Sequence, residues 1–365
     1  MRDGLAELAA ELEQELLGYV KNQRLELEAI RRGREELCRV KTASQDDCPL
    51  FTLPPEIRAN IYEYALSDFE DKDAEPFPVD AAYYRPGYTH PRRLDIRLLK
   101  TCRAIYQEAW SFPVTRKKYT FWLGHAERRD AKDWQSVNLQ LARILRICHS
   151  VHRDKLKFKH LQVFSQMFRL ETHGLAEIMV IPFFSVRSIT LTIRHTDWWY
   201  WEEDAPLSFQ ARWMAVLNKT LPDALEEMAI QLETVERKKE QVFWLIREMR
   251  HTWYFRTKGG KTLFADTSRQ GLQQGGWKGP NMLLGQRWER DEVDGKIPYF
   301  SLTQMFRPLL ELEKHGVLLD ELVKELAVTN HCSEEEQGLS FPMNKSARLV
   351  LGKRWAADKM EIGGE

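Results

Sequence analysis

The sequence is poor in the features that mark whole classes of protein. Cysteine is scarce, with five in 365 residues. Cys38, Cys48, Cys102, Cys148 and Cys332 are scattered, odd in number and form no CxxC pair. That pattern excludes a disulfide framework and a zinc knuckle, and it points to a reducing compartment, cytoplasm or nucleus. Net charge is absent too, since Lys+Arg and Asp+Glu each total 54. Such a chain has no overall attraction to nucleic acid or to an anionic membrane. No apolar run reaches the ~18 residues that a spanning helix needs. The first residues include Asp3, Glu7, Glu11 and Glu13, where a secretory leader would be basic and then apolar. No leader is therefore expected.

Catalytic signatures are missing as well. The chain contains no GxSxG and no HExxH. Gly259-Gly260-Lys261-Thr262 imitates the end of a phosphate-binding loop, but the full pattern needs Gly where Phe255 stands. A turn between Tyr254-Phe255 and Leu263-Phe264 is the better reading. Cysteine, histidine and aspartate are present, but no spacing selects a triad. The sequence thus reads as a binding protein and not an enzyme, with no catalytic residue, no metal site and no cofactor.

What is present is ample apolar mass, 43% hydrophobic and 11% aromatic, enough for one large core or two smaller ones. Residues 3–41 read as one long amphipathic helix, with Leu5, Leu8, Leu12, Leu16, Tyr19, Leu27 and Ile30 at helical spacing. Acids lead and bases follow, in accord with the helix dipole. Gly18 and Gly33 weaken this helix, so packing against another surface is expected to hold it.

Pro54 and Pro55 suit the first turn of a second helix, where no amide hydrogen needs an internal acceptor. Ile57, Ile61, Tyr64 and Ala65 follow at i, i+4, i+7 and i+8, which on spacing alone reads as one buried stripe. Residues 67–93, with Pro76, Pro78, Pro86 and Pro91, read as a surface loop. Asp95 can cap a helix whose stripe is Leu98, Leu99, Cys102, Ile105, Tyr106 and Ala109. Lys117 to Leu123 reads as a strand. Val137, Leu141, Ile144, Leu145 and Cys148 predict a helix, and Leu161, Phe164 and Phe168 predict another. Strands at Val186–Ile193 and Leu225–Leu232, each followed by a helix, suggest parallel pairing. The Gly-rich stretch 257–296 reads mostly as loop, Ile297–Leu302 as strand, and Leu319, Leu322, Val323 and Leu326 as a late helix.

Two clusters stand out. His195, Asp197, Trp198, Trp199, Tyr200 and Trp201 are followed by Glu202, Glu203 and Asp204. Adjacent residues of an extended segment point opposite ways, so some of these rings must face outward. Trp198, Trp199 and Trp201 are the candidate partner-binding residues, and acids beside them suit a cationic or peptide ligand. The competing reading is a packed strand end covered by the Gly-rich loop. The second cluster is basic: Arg143, Arg146, His149, His152, Arg153, Lys155, Lys157, Lys159 and His160. It suits phosphate, or simply a solvated helix face.

The run Leu53-Pro54-Pro55-Glu56-Ile57-Arg58, continued by Ile61-Tyr62 and Ala65-Leu66, looks like the opening of an F-box. The segments Leu98-Leu99-Lys100-Thr101-Cys102-Arg103-Ala104-Ile105-Tyr106-Gln107-Glu108-Ala109 and Tyr119-Thr120-Phe121 resemble a large group of uncharacterised fungal F-box-like proteins. So do the stretches from Ile189 to Trp199 and from Leu232 to Lys239. The resemblance covers roughly residues 48–300. F-boxes dock the small adaptor of cullin–RING ubiquitin ligases, and the rest of the chain selects a substrate. Carried over, the resemblance implies an adaptor-binding ridge of Leu53, Pro54, Ile57, Ile61 and Leu66. The loop 67–93 departs from the compact continuation of a standard F-box.

The expected fold is therefore α+β. It comprises an N-terminal amphipathic helix (1–42), a helical F-box-like module (48–125), an α/β recognition domain with a small mixed sheet of strand–helix units (126–330), and a poorly ordered tail (331–365). The expected function is protein–protein interaction as a substrate receptor of a ubiquitin ligase, with the ligase adaptor and a protein substrate as partners and no membrane. The alternatives are an F-box-derived scaffold without a ligase role, and a nucleic-acid-associated protein using the basic run 143–160.

Overall fold

The computed structural model describes residue 14 and residues 24–81, 83–124, 140–142, 144, 146, 157–180, 184–209, 212–283, 285–329 and 339–340. The helices are α1 (Arg24–Arg39), α2 (Pro49–Thr52), α3 (Pro55–Ala65), α4 (Arg103–Ala109), α5 (Phe112–Thr115), α6 (Met167–Glu171), α7 (Gly174–Met179), α8 (Arg212–Leu217), α9 (Lys239–Thr252), α10 (Leu309–Lys314) and α11 (Glu321–Thr329). The first strands are β1 (Asp68–Glu70), β2 (Arg92–Leu94), β3 (Lys118–Leu123), β4 (Lys157–Ser165), β5 (Ser185–Ile193), β6 (Ser208–Phe209) and β7 (Glu227–Val235). The later ones are β8 (Tyr254–Arg256), β9 (Thr262–Ala265), β10 (Leu272–Pro280), β11 (Met282–Leu283), β12 (Gln286–Arg287), β13 (Lys296–Pro308) and β14 (Leu339–Ser340). The chain is a mixed α/β protein with a large mixed sheet of eight strands, where the sequence suggested a small one. Among the described residues, no helix is long and apolar enough to cross a membrane.

Two compact units share the chain, and each is discontinuous in sequence. The first is built from Met1–Val163, Glu177–Ile189 and Pro280–Trp288; the second from Phe164–Ala176, Thr190–Gly279 and Glu289–Glu365.

In the first unit, a helical core gathers Tyr62 of α3 and Leu66 at its C-terminal end with Ile105 and Ala109 of α4. Leu50, Phe51, Leu98, Leu99, Cys102 and Phe112 pack around them. Fully burying a side chain of leucine size contributes about 1.5–3 kcal/mol. The single helix expected after Asp95 is instead two pieces. A 3-10 turn over Arg97–Lys100 has Ile96 at its cap, and Asp95 before it accepts the Arg97 amide at Oδ1, 2.9 Å away. The chain then extends at Cys102 (φ −152°, ψ 161°) before α4 begins. Helix α1 is tied to α4 by polar contacts. Gln107 Nε2 donates to the Leu37 and Val40 carbonyls at 3.0 and 2.9 Å, satisfying acceptors that a helix end leaves open. The Arg34 guanidinium lies 4.7 Å above the Trp110 ring. The rest of the predicted 3–41 helix lies outside the described residues, apart from Gln14.

The loop 67–93 is more ordered than its composition suggests. Its ends close as an antiparallel pair, β1 on β2, and the Glu70 carboxylate accepts the Thr89 amide at 2.6 Å. Tyr83 and Tyr88 both meet Trp122 of β3 edge-on. Strands follow in the order β3-β4-β5. The helix predicted from Leu161, Phe164 and Phe168 does not form; Leu161 and Phe164 lie in β4, and only Phe168 is helical, in α6. Leu161, Val163 and Phe164 are all buried, so both faces of the strand's end are covered. A strand buried on both sides reads as a continuous apolar run, and chance spacing within such a run imitates a helix. Of the helix predicted near 137–148, residues 140–142, 144 and 146 are described, and all are helical.

In the second unit, the strands run in the order β5-β7-β13-β9-β8, with β10 also on β13. β13 pairs antiparallel with β7 from Tyr299↔Val235 to Phe306↔Met228, and with β9 at Phe306↔Ala265. Thus the strand expected at Ile297–Leu302 extends to Pro308 as the unit's central member. Trp213, Trp253, Phe209, Phe255 and Phe306 fill the core with edge-to-face or tilted rings. The turn expected between Tyr254-Phe255 and Leu263-Phe264 is present: β8 pairs with β9 at Phe255↔Leu263, and Gly260 takes φ +86° in the turn.

The Gly-rich stretch is loop over much of its length, but it also carries β9, the nine-residue β10 and the short β11 and β12. Glycine here serves close approach. A Cβ on Gly271 would sit 2.0 Å from the Asp266 carbonyl oxygen, and one on Gly279 would sit 2.6 Å from the Tyr299 ring. Trp277 of β10 can then stack on Tyr299 of β13 at 4.6 Å.

Candidate interaction surfaces

Helix α3 has two faces with opposite fates. Arg58, Tyr62 and Leu66 turn inward. Tyr62 and Leu66 are buried, and the Arg58 Nη1 donates to the Leu53 carbonyl at 2.6 Å. The other face is apolar and wet. Ile57 is 46% exposed, Ile61 39% and Tyr64 88%, with Ala65 exposed beside them. The expected buried stripe is therefore a surface stripe. Spacing shows that these four residues share a face, but not which face the core selects; the core selected the side carrying Tyr62 and Leu66. Of the adaptor-binding candidates, Pro54, Ile57 and Ile61 are exposed and Leu53 is half-buried. Leu66 is core, packed with Ile105 and Ala109, and so presents nothing to a partner.

The aromatic cluster sits in the turn after β5. Asp197 fixes its start. Its Oδ2 accepts from the backbone amide and the Nε of Arg194, at 3.1 and 2.6 Å. Trp198 is buried against Phe209, and its Nε1 donates to the Glu233 carbonyl at 2.9 Å. Trp201 is buried too, edge-on to His195 at 5.6 Å. These two candidates are thus core residues, because the turn folds back onto β7 instead of continuing as a strand. Trp199 is 37% exposed and the neighbouring Tyr200 62%. Tyr200, not among the candidates, holds φ +51°, a backbone state that no sequence pattern announced.

Charged groups pin the far side of this turn. Arg237 donates to both oxygens of Asp204 at 2.9 Å, and its Nε reaches Asp291 at 2.7 Å. Lys238, buried, donates to the Ala205 carbonyl and pairs with Asp204, both at 2.7 Å. Burial works to raise the Asp204 carboxyl, but the hydrogen bonds from Arg237 and Lys238 outweigh it and hold the group at about 2. Burial drives Lys238 downward. His195 is pushed down to about 4, first by burial and then by the nearby Lys238 charge. It is a neutral core histidine at ordinary pH, and the network staples the turn in place. Among the described residues, no group of three His, Cys, Asp or Glu could hold a metal ion.

The basic run is only partly described. Lys159 pairs with Glu63, and His160 lies near Ser188 (Nδ1 to Oγ 3.0 Å) and is depressed to about 4, chiefly by burial. His160 is engaged in the fold and neutral, while Lys159 stays exposed in a surface ion pair. Arg143, His149, His152, Arg153 and Lys155 lie outside the described residues. No family model matches the chain, and no curated protein or solved structure matches it.

Proposed function

We propose that the chain is a protein-interaction receptor of the F-box type, in which α3 docks the small adaptor of a cullin–RING ubiquitin ligase and the remainder recognises a protein substrate. The observation that carries this reading is the wet apolar face of α3. Its fold-making contacts are all made by the opposite side, so Ile57, Ile61, Tyr64 and Ala65 are not needed for the core. Contiguous exposed apolar residues on a helix suit insertion into a partner's hydrophobic groove. Ile57 and Ile61 are two of the five positions at which the F-box resemblance places its adaptor ridge, while Leu66, a third, supports the helix from within.

The test is adaptor binding by the full chain and by Ile57→Asp/Ile61→Asp. The wild type is expected to retain the adaptor at micromolar concentration. The double variant should lose it with an unchanged circular dichroism spectrum and melting temperature. A well-folded wild type that ignores the adaptor ends the ligase reading. Capture of other proteins through α3 alone would then favour the scaffold role.

A further inference from the structure

Two aromatic rings stand side by side in solvent in the turn after β5. The centroids of Trp199 and Tyr200 are 6.1 Å apart, with ring planes at 36°. Folding does not require this arrangement, because the flanking Trp198 and Trp201 already fill the core. A carboxylate lies at the edge of the pair. Trp199 Nε1 donates to both oxygens of Glu171 at 3.1 Å, and Glu202 and Glu203 continue the turn on the surface. Tyr200 also sits in the left-handed region, which a bulky side chain occupies only at a cost in backbone strain. Glycine would avoid that cost, yet the position carries a large ring turned to water.

We infer that this turn is a binding site for a cationic side chain of a partner protein, arginine above all, stacked on a face of the Trp199–Tyr200 pair with its charge toward Glu171. The rings supply negative faces, with tryptophan the strongest, and the carboxylate supplies a full opposite charge. Guanidinium suits both. It is planar, stacks flat on an indole and keeps N–H donors at its rim to reach a carboxylate beside the ring, whereas an ammonium is a compact, strongly hydrated point. The space between the rings is too narrow to admit it, since two van der Waals separations need about 7 Å. The cation therefore stacks on a single open ring face and not between the two rings. The chain as a whole is neutral, so attraction to a basic segment would be local to this turn. The inference stands independently of adaptor docking by α3, which lies in the other unit.

The experiment uses the full chain and a fluorescein-labelled Gly-Ser-Arg-Gly-Ser-Arg-Gly-Ser peptide, followed by fluorescence anisotropy. Versions with lysine or with uncharged citrulline in place of arginine serve as comparisons. The arginine peptide should bind at sub-millimolar protein, the lysine peptide more weakly and the citrulline peptide not at all. Trp199→Ala/Tyr200→Gly should weaken binding about tenfold. Glu171→Gln should weaken it severalfold and flatten its salt dependence. Both sites of the double variant are exposed and Tyr200→Gly relieves backbone strain, so its melting temperature should not fall. Equal binding by the double variant and the wild type would reduce the site to a diffuse acidic patch and overturn the inference. So would failure of the wild type to bind at millimolar peptide.

Discussion

Arg58 and Glu108 meet fork to fork between α3 and α4. Nε donates to Oε2 at 2.9 Å and Nη2 to Oε1 at 2.7 Å, while the Tyr62 hydroxyl adds a third donor to Oε2 at 2.9 Å. This contact fixes the rotation of α3 about its own axis and so decides that Ile57 and Ile61 point outward. The hydrogen bond from Arg58 is the main cause holding the Glu108 carboxyl below its ordinary value. The unfolded chain therefore binds the proton more readily than the folded one. The stabilising contribution is present above the ordinary carboxylate range and is lost as pH falls through the lowered value. Urea unfolding at several pH values should show Glu108→Gln less stable than wild type near neutrality, with the gap closing below pH of about 4. A gap independent of pH would sink this account.

The two faces of α3 predict opposite responses to substitution. Leu66→Ala should cost about 2–5 kcal/mol, because it empties a fully buried site. Ile61→Ala should stay within about 0.5–1 kcal/mol. Thermal unfolding of the two variants is sufficient. Comparable losses would mean that the exposed stripe is part of the fold.

Adjacent tryptophans should behave just as differently. Trp198→Ala removes a buried ring and its hydrogen bond to Glu233, at roughly 3–5 kcal/mol. Trp199→Ala, one residue on, should change stability by no more than about 1 kcal/mol. Paired denaturant titrations read the difference directly.

His195 predicts a pH dependence in the second unit. Its folded value of about 4 lies below the ordinary 6.5, so the unfolded chain takes up the proton first. Stability is full above 6.5 and declines as pH falls from 6.5 toward 4. In NMR spectra the His195 ring signals should stay flat from pH 8 to about 5. Titration near 6.5 would show that the ring is not sealed in the core.

Gly271 predicts intolerance of a single methyl group. A Cβ there would fall 2.0 Å from the Asp266 carbonyl oxygen, which is backbone and cannot swing aside. Gly271→Ala should cost about 1–3 kcal/mol or more. At Gly33 no atom lies within 4 Å of the added Cβ, and the same change should be neutral or stabilising by up to about 1 kcal/mol.

Much of this architecture was legible from local chemistry. The β-branched run at Val186–Ile193, the α9 stripe of Val242, Leu245, Ile246 and Met249, and the Phe255/Leu263 hairpin announce themselves by periodicity and turn residues. Other parts depend on partners distant in sequence. Residues 161–165 became strand because both sides of that segment are covered. The Gly-rich 272–280 segment became strand because β13 was there to pair with it. For the interaction surfaces, alternation predicted that some aromatic of the 198–201 group faces water; Trp199 and Tyr200 do, but as neighbours in a turn and not as alternate residues of a strand. Spacing could not say that the α3 stripe faces outward, since a helix's apolar face is defined only once its neighbours are placed.

The interleaving of the two units has a consequence for how the protein is made. The first unit takes strand residues from as late as Trp288, so it cannot be completed when Val163 has emerged from the ribosome. At about 5–20 residues per second, the roughly 125 residues between those points take on the order of ten seconds to synthesise. Within that interval β4 waits for β5, and β5 for β7, so their strand edges stay open to wrong pairing until Val235 has emerged. Ending the chain at any point before Trp288 would leave both units incomplete.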